Sequence, residues 1–201
     1  MTPIDFKKIR STPKNQNDSF EALAVQLFRS SYHPPAESTF ISLRGDGGDG
    51  GVEAYFRLYD ETIIGVQAKY FFQLGDSELR QIKASFETAL ANHPKLSEYW
   101  IYIPFDLTGR VAVGKRGKSQ AERFEEWKQE VETSAQARGA KLTVVLCTAA
   151  IIRDQLLACD PHGGMRRYWF NGNVLTHTQI QHCLDEAIAF AGPRYTAALA
   201  G

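Results

Sequence analysis

Five of the seven residues from Gly45 to Gly51 are glycine, and the run lies between two short apolar segments, Phe40-Ile41-Ser42-Leu43 and Val52 to Leu58. Glycine loses more conformational freedom than any other residue when it is fixed, so such a run holds neither a helix nor a strand. The chain turns here, and the apolar segments on either side read as strands. A third run, Thr62 to Phe72, follows the polar turn Tyr59-Asp60-Glu61. Its mostly apolar character predicts a strand covered on both faces.

Helical periodicity surrounds these strands. Phe20, Leu23, Ala24, Leu27 and Phe28 share one face of a first helix that opens at Ser19-Phe20-Glu21, with Asp18 or Ser19 as its cap, and stops at His33-Pro34-Pro35. Leu79, Ile82, Phe86 and Leu90 mark a second helix over 76–92; Phe124, Trp127 and Val131 mark a third over 119–138. Strands are expected at Tyr99 to Ile103 and Leu142 to Cys147, with a short helix from Ala149 to Leu157 and a last one from Thr178 to Phe190. Arg166 to Phe170 carries aromatics with no readable periodicity, and residues 1–18 read as a loose polar lead-in. The order is one helix, three strands, then alternating helix and strand. That predicts the α/β class, with a mixed sheet flanked by helices on both faces.

The 201 residues suit one domain, and 23 basic residues balance 23 acidic ones. A zero net charge argues against a tight, non-specific nucleic-acid binder, but not against an enzyme whose acidic site offsets basic contacts elsewhere. Cys147, Cys159 and Cys183 are odd in number and widely spaced, which predicts free thiols in a reducing compartment. No apolar run approaches the roughly 18 residues of a membrane span, and no secretory leader is visible, so a cytoplasmic protein is expected. The proline break at Gly192-Pro193-Arg194 predicts a linker toward a further domain.

Gln67 and Lys69 stand two apart on the third predicted strand and so point to one face, while Val66, Ala68 and Tyr70 point to the other. A lysine in an apolar strand needs an anionic partner or a cavity. Asp49 in the glycine turn and Glu53 just beyond it supply carboxylates that a hairpin over 51–69 brings near Gln67 and Lys69. Carboxylate and amide oxygens suit a hard cation, Mg²⁺ or Mn²⁺, which polarises a phosphate and lowers the pKa of a bound water. Lys69 can orient or deprotonate that water and offset developing charge. The glycines beside Asp49 let a bulky phosphate backbone approach.

The string Gly47-Gly48-Asp49-Gly50-Gly51-Val52-Glu53, followed by Val66-Gln67-Ala68-Lys69-Tyr70, resembles the Mrr-like branch of the PD-(D/E)xK restriction-endonuclease superfamily. That branch has a GxDGGI[DE] turn and a QxK strand. Phe20-Glu21-Ala22-Leu23 resembles its first-helix motif, in which a glutamate, here Glu21, faces the metal site. The resemblance covers residues 19–103 and implies a restriction-endonuclease-like fold. It also implies Mg²⁺-dependent cleavage of double-stranded DNA, with Glu21, Asp49, Glu53, Gln67 and Lys69 as the catalytic set. Many relatives carry Asp where this chain has Glu53, so either Asp49 or Glu53 is the main metal ligand. A looser resemblance, over Trp127-Lys128, Tyr168-Trp169-Phe170 and Gly192-Pro193-Arg194-Tyr195, is to the region after the nuclease in some bacterial antiviral STAND NTPases. It implies an effector domain switched on by self-association. The corresponding division is a lead-in at 1–18, a nuclease core at 19–158, and an extension and linker at 159–201.

Other motifs carry less. Gly109 to Lys115 nearly matches a phosphate-binding loop, but Arg116 stands where Ser or Thr would meet Mg²⁺. Arg110, Lys115, Arg116 and Lys118 read instead as a solvated basic loop or a DNA-backbone contact. His162, His177 and His182 lack zinc spacing with the cysteines. The rival functions are a non-catalytic DNA-binding or assembly module on the same fold, and a nucleotide-binding regulator using the 109–119 loop.

Overall fold

The computed structural model describes residues 4–12, 14–43, 50–109, 117–170 and 177–195. Five strands form one open mixed sheet in the order β1 (Thr39–Ser42), β2 (Ala54–Arg57), β3 (Ile63–Ala68), β4 (Leu96–Tyr102) and β5 (Thr143–Cys147). β1–β2 and β2–β3 are antiparallel, as short connections require, and β3–β4 and β4–β5 are parallel. Each parallel step is made through a helix, α2 (Asp76–Asn92) and then α3 (Gln120–Ala137). Two right-handed crossovers that step the same way across a sheet place both helices on one face. Accordingly, Ile82, Phe86, Ala89, Phe124 and Trp127 pack with Val52, Tyr99, Ile101 and Val144.

The other face of the sheet is covered by α1 (Gln16–Ser31), α4 (Ala149–Cys159) and α5 (Gly164–Phe170). Phe20, Leu23, Leu27, Phe28, Ile152, Leu156 and Trp169 pack there against Ala54, Phe56, Ile64, Val66 and Ala68. The chain is thus α/β, with a mixed sheet between two helical layers. All six residues of β3 are buried, as expected for a strand covered on both sides. The strand is shorter than its apolar run, ending at Ala68.

Two expectations fail at the N-terminus for one reason. Helix α1 starts at Gln16, capped by Asn15, whose side-chain oxygen accepts from the Asp18 N–H at 2.9 Å. Ser19 sits inside the first turn, buried, where its hydroxyl accepts from Thr12 N–H at 2.9 Å. Nor is the segment before it loose. A 3₁₀ turn at Phe6–Lys8 carries Phe6, 3% exposed, and Ile9, 1% exposed, into the α1 side of the core. Polar composition hid two apolar anchors three residues apart. Ile9→Val is therefore expected to lower the unfolding free energy by about 1 kcal/mol in urea denaturation. A loose segment would show no change.

α5, unreadable in the sequence, is fixed by the buried Trp169, whose Nε1–H donates to Gln26 Oε1 at 3.0 Å, and by an Arg166–Asp160 ion pair at 3.2 Å. The last helix, α6 (His177–Tyr195), runs through Pro193, past its expected end at Phe190. Among the described residues no helix is long and apolar enough to cross a membrane.

Candidate functional site

The β2–β3 register pairs Ala54 with Val66, and both side chains lie in the α1 layer of the core. Strand alternation therefore turns Glu53 and Gln67, one step along, to the α2–α3 side as cross-strand neighbours. The ladder extends through them, with Glu53 N–H donating to Val66 O at 2.7 Å and Leu43 N–H to Glu53 O at 2.8 Å. Both side chains are nearly out of water, Glu53 at 6% exposed and Gln67 at 3%. Gln67 Nε2 donates to Glu53 Oε1, and also to Ala68 O at 3.1 Å.

Gln67 Oε1 is buried with no hydrogen-bond partner. A buried acceptor left unmatched costs about 1–3 kcal/mol, and burying a carboxylate costs more. Turning the amide over would not relieve the pair, because it would set Oε1 against the Glu53 carboxylate. In either orientation one polar atom of the Gln67 amide stays poorly matched. A carboxylate and an amide oxygen are hard donors, and so fit the expected cation, Mg²⁺ or Mn²⁺.

The approach to Glu53 is pinned against α2. Gly51 has φ +84°, and a Cβ there would lie 2.3 Å from Ser85 O and 2.4 Å from Ala89 N. Tyr99, fully buried on β4, donates its hydroxyl to Gly51 O at 2.9 Å. Asn92 Nδ2 donates to Gly50 O at 3.4 Å. The glycine at 51 thus serves a close approach of helix backbone, where the sequence pointed to a phosphate. Tyr99 and Asn92 escaped sequence reading because each has an ordinary role in its own element. Only the tertiary crossing of α2 over the hairpin joins them to the turn.

Lys69 follows the last residue of β3 and is half-buried. Its N–H donates to Tyr102 O at 2.9 Å, so the ladder continues to it and alternation places it on the Glu53–Gln67 side. Glu21 stands on α1, the helix packed against the opposite face, and accepts from Asn17 Nδ2. The structure therefore brings Glu53 and Gln67 together, sets Lys69 beside them along the strand, and mounts Glu21 on the far layer. Asp49, Arg110, Lys115 and Arg116 lie outside the described residues. Lys118 pairs with Glu126 at 2.7 Å, on the surface at the start of α3. Among the described residues no three His, Cys, Asp or Glu side chains converge.

The chain matches no family model and no curated protein.

Thiol chemistry has no footing at the buried cysteine. All three cysteines are free, and burial pushes the Cys147 thiol up to about 12, which keeps it protonated at neutral pH. His93 packs its ring 4.9 Å from that of Tyr55, and burial lowers its pKa, which favours the neutral imidazole. Among the described residues, Gln67 Oε1 is one of four buried side-chain atoms without a hydrogen-bond partner, with His93 Nε2, Tyr102 Oη and Gln155 Oε1, and the one that adjoins a buried carboxylate.

Proposed function

We propose that this chain is a metal-dependent nuclease domain that hydrolyses phosphodiester bonds in double-stranded DNA. The observation that carries the reading is the buried Glu53 carboxylate beside the partnerless Gln67 oxygen, with Lys69 next along the strand. A β-hairpin running into a parallel βαβ step, with these residues at the C-terminal end of β3, also agrees with the restriction-endonuclease-like fold implied by the sequence resemblance.

In this reading Glu53 and Gln67 hold Mg²⁺ or Mn²⁺, and Asp49, four residues before Glu53, adds a further carboxylate. When bound, the ion polarises the phosphate and lowers the pKa of a water. The chain's own groups do the rest. The Gln67 amide N–H orients the Glu53 carboxylate. The α2–α3 layer excludes bulk water from the pair and strengthens each electrostatic contact. The Lys69 ammonium orients the water and offsets negative charge on the phosphate oxygens. Glu21, on α1 across the sheet from the pair, stays outside this set. The same reading makes the chain the cytoplasmic effector domain of an anti-phage STAND NTPase, activated when several copies assemble.

Plasmid incubation tests the core of this proposal. Wild-type protein is expected to convert supercoiled DNA to nicked and linear forms with Mg²⁺ or Mn²⁺ and not with EDTA. Asp49→Ala and Lys69→Ala are expected to lose at least 100-fold in rate, the scale set by removing one group that stabilises transition-state charge. Equal cleavage by Lys69→Ala and wild type would defeat the catalytic assignment. Folded wild type that cuts with neither ion would leave a non-catalytic module.

A further inference from the structure

Lys69 lies just past the end of β3, yet it keeps to the Glu53–Gln67 side of the sheet. The packing of its neighbours shows why. Tyr70 and Phe72 join the α1 layer of the core, while Phe71 between them joins the α2–α3 layer. The side-to-side alternation of a strand therefore persists through Phe72, and it turns Lys69 the same way as Phe71. The ladder reaches Lys69 through its own N–H, bonded to Tyr102 O at 2.9 Å. Tyr70, the next residue, is held by the N-terminal segment.

The Tyr70 hydroxyl donates to Phe6 O at 2.9 Å and lies 3.4 Å from Gln16 Oε1. Its ring stands 5.6 Å from that of Phe20 and 5.0 Å from that of Phe72. Burial, with the charge of Asp5 nearby, pushes the hydroxyl's pKa up, so it stays protonated and donating. The accepting carbonyl is itself fixed. Phe6 is buried, its ring 6.1 Å from that of Phe20 and 5.7 Å from that of Phe170. Gln16 Nε2 donates to Lys7 O at 3.1 Å and to Ile9 O at 2.9 Å, and Arg10 N–H donates to Trp169 O at 2.7 Å. The 3₁₀ turn is thus clamped to both α1 and α5, and the Tyr70 hydroxyl ties the exit of β3 to it. In extended backbone, neighbouring side chains point to opposite faces, so a residue held on the α1 side sets the direction of the one before it.

We propose that Tyr70 is a positioning residue: anchored to Phe6 O on the α1 side of the sheet, it keeps the Lys69 side chain directed to the Glu53–Gln67 side. The inference rests on the nuclease reading for what Lys69 does, and not for where Tyr70 holds it. It gives the N-terminal turn a part in the site, although that turn packs on the opposite side of the sheet from the pair.

The test compares Tyr70→Phe with Ile9→Val in the full chain. Tyr70→Phe removes the hydroxyl and keeps both ring contacts. Ile9→Val loosens the same segment and leaves the Phe6 O acceptor in place. Amide hydrogen exchange read by NMR reports the placement of Lys69 directly. In Tyr70→Phe the Lys69 N–H is expected to exchange roughly five- to tenfold faster, the factor that one neutral hydrogen bond is worth. Ile9→Val is expected to leave it within about twofold of wild type. The Glu53 N–H, bonded to Val66 O within the sheet, is expected to respond equally in the two variants. In plasmid cleavage with Mg²⁺, Tyr70→Phe is expected to lower kcat roughly tenfold with KM within about twofold, because the reacting geometry loosens and DNA binding does not. Ile9→Val is expected to keep both constants within about twofold. Should Tyr70→Phe fail to fold by circular dichroism, Gln16→Leu, which frees the turn that carries Phe6 O, is expected to give the same two losses. Unchanged exchange at Lys69, or an equal loss of kcat in Ile9→Val, would overturn the proposal. The two readings fail separately. If wild type cuts plasmid and Tyr70→Phe cuts as fast, the positioning assignment falls alone. If wild type never cuts, the nuclease reading falls, and exchange at Lys69 still decides whether Tyr70 holds it.

Discussion

Replacing Gln67 with glutamate is expected to lower the unfolding free energy by roughly 2–4 kcal/mol in EDTA, and Mg²⁺ or Mn²⁺ is expected to restore most of it. The substitution keeps the size of the side chain and changes one group. In the wild type an amide N–H donates to Glu53 Oε1 inside the protein. In Gln67→Glu that donor becomes an oxygen, and two carboxylates share a site with almost no access to water. Like charges at hydrogen-bond distance cannot both ionise cheaply, so the pair takes up a proton at a pKa raised above the usual carboxylate range. The sign follows from linkage. The folded variant binds more protons than its unfolded chain, so its stability falls as pH rises through the raised pKa and recovers in acid. A divalent cation between the oxygens replaces that proton and removes the pH dependence. Thermal melts with and without Mn²⁺, at neutral and acidic pH, measure all of this. A variant as unstable with metal as without would show that the pair is a structural hydrogen bond and not a cation site. A purely structural role predicts the loss but not the rescue, so the experiment separates the two.

The juxtaposition of Glu53 and Gln67 was legible in the sequence because it depends on local rules alone. A short turn forces an antiparallel hairpin, and period-two alternation then decides which residues share a face. The α2 helix was equally legible, down to its ends at Asp76 and Asn92, because Leu79, Ile82, Phe86 and Leu90 keep helical spacing without interruption. What failed depended on contacts between distant segments. Residues 6–9 enter the core through two side chains in a run that is otherwise polar, and no periodicity can show that. α5 has seven residues, too few for its pattern to rise above composition, and it is placed by Trp169 reaching Gln26 on α1. The strand carrying Lys69 ends one residue before it. Half-buried past the strand's end, Lys69 can reach water without a partner, whereas the Gln67 oxygen is buried and unmatched.

Gly51→Ala should be the most damaging single-methyl change near the site, costing about 2–4 kcal/mol of stability, while Gly50→Ala next to it should cost about 1–2 kcal/mol. Both glycines have positive φ, +62° at Gly50 and +84° at Gly51, so both substitutions carry backbone strain. They differ in what the new methyl meets. At Gly50 the nearest atoms belong to the Asn92 side chain, at 3.6 Å and beyond, which is ordinary contact. At Gly51 they are Ser85 O at 2.3 Å, Ala89 N at 2.4 Å and Ala89 Cα at 2.9 Å, all on the backbone of α2. Backbone cannot move out of the way by changing rotamer, so either the turn or the helix must shift. Tyr99, bonded to Gly51 O from the sheet side, resists movement of the turn. Glu53 is two residues on and moves with it, so loss of stability and loss of cleavage are expected together in Gly51→Ala and neither to that degree in Gly50→Ala. Urea denaturation of the two variants, with plasmid cleavage assayed alongside, gives the comparison. Equal destabilisation by the two would mean that conformational strain alone governs the turn, and that α2 does not press on it.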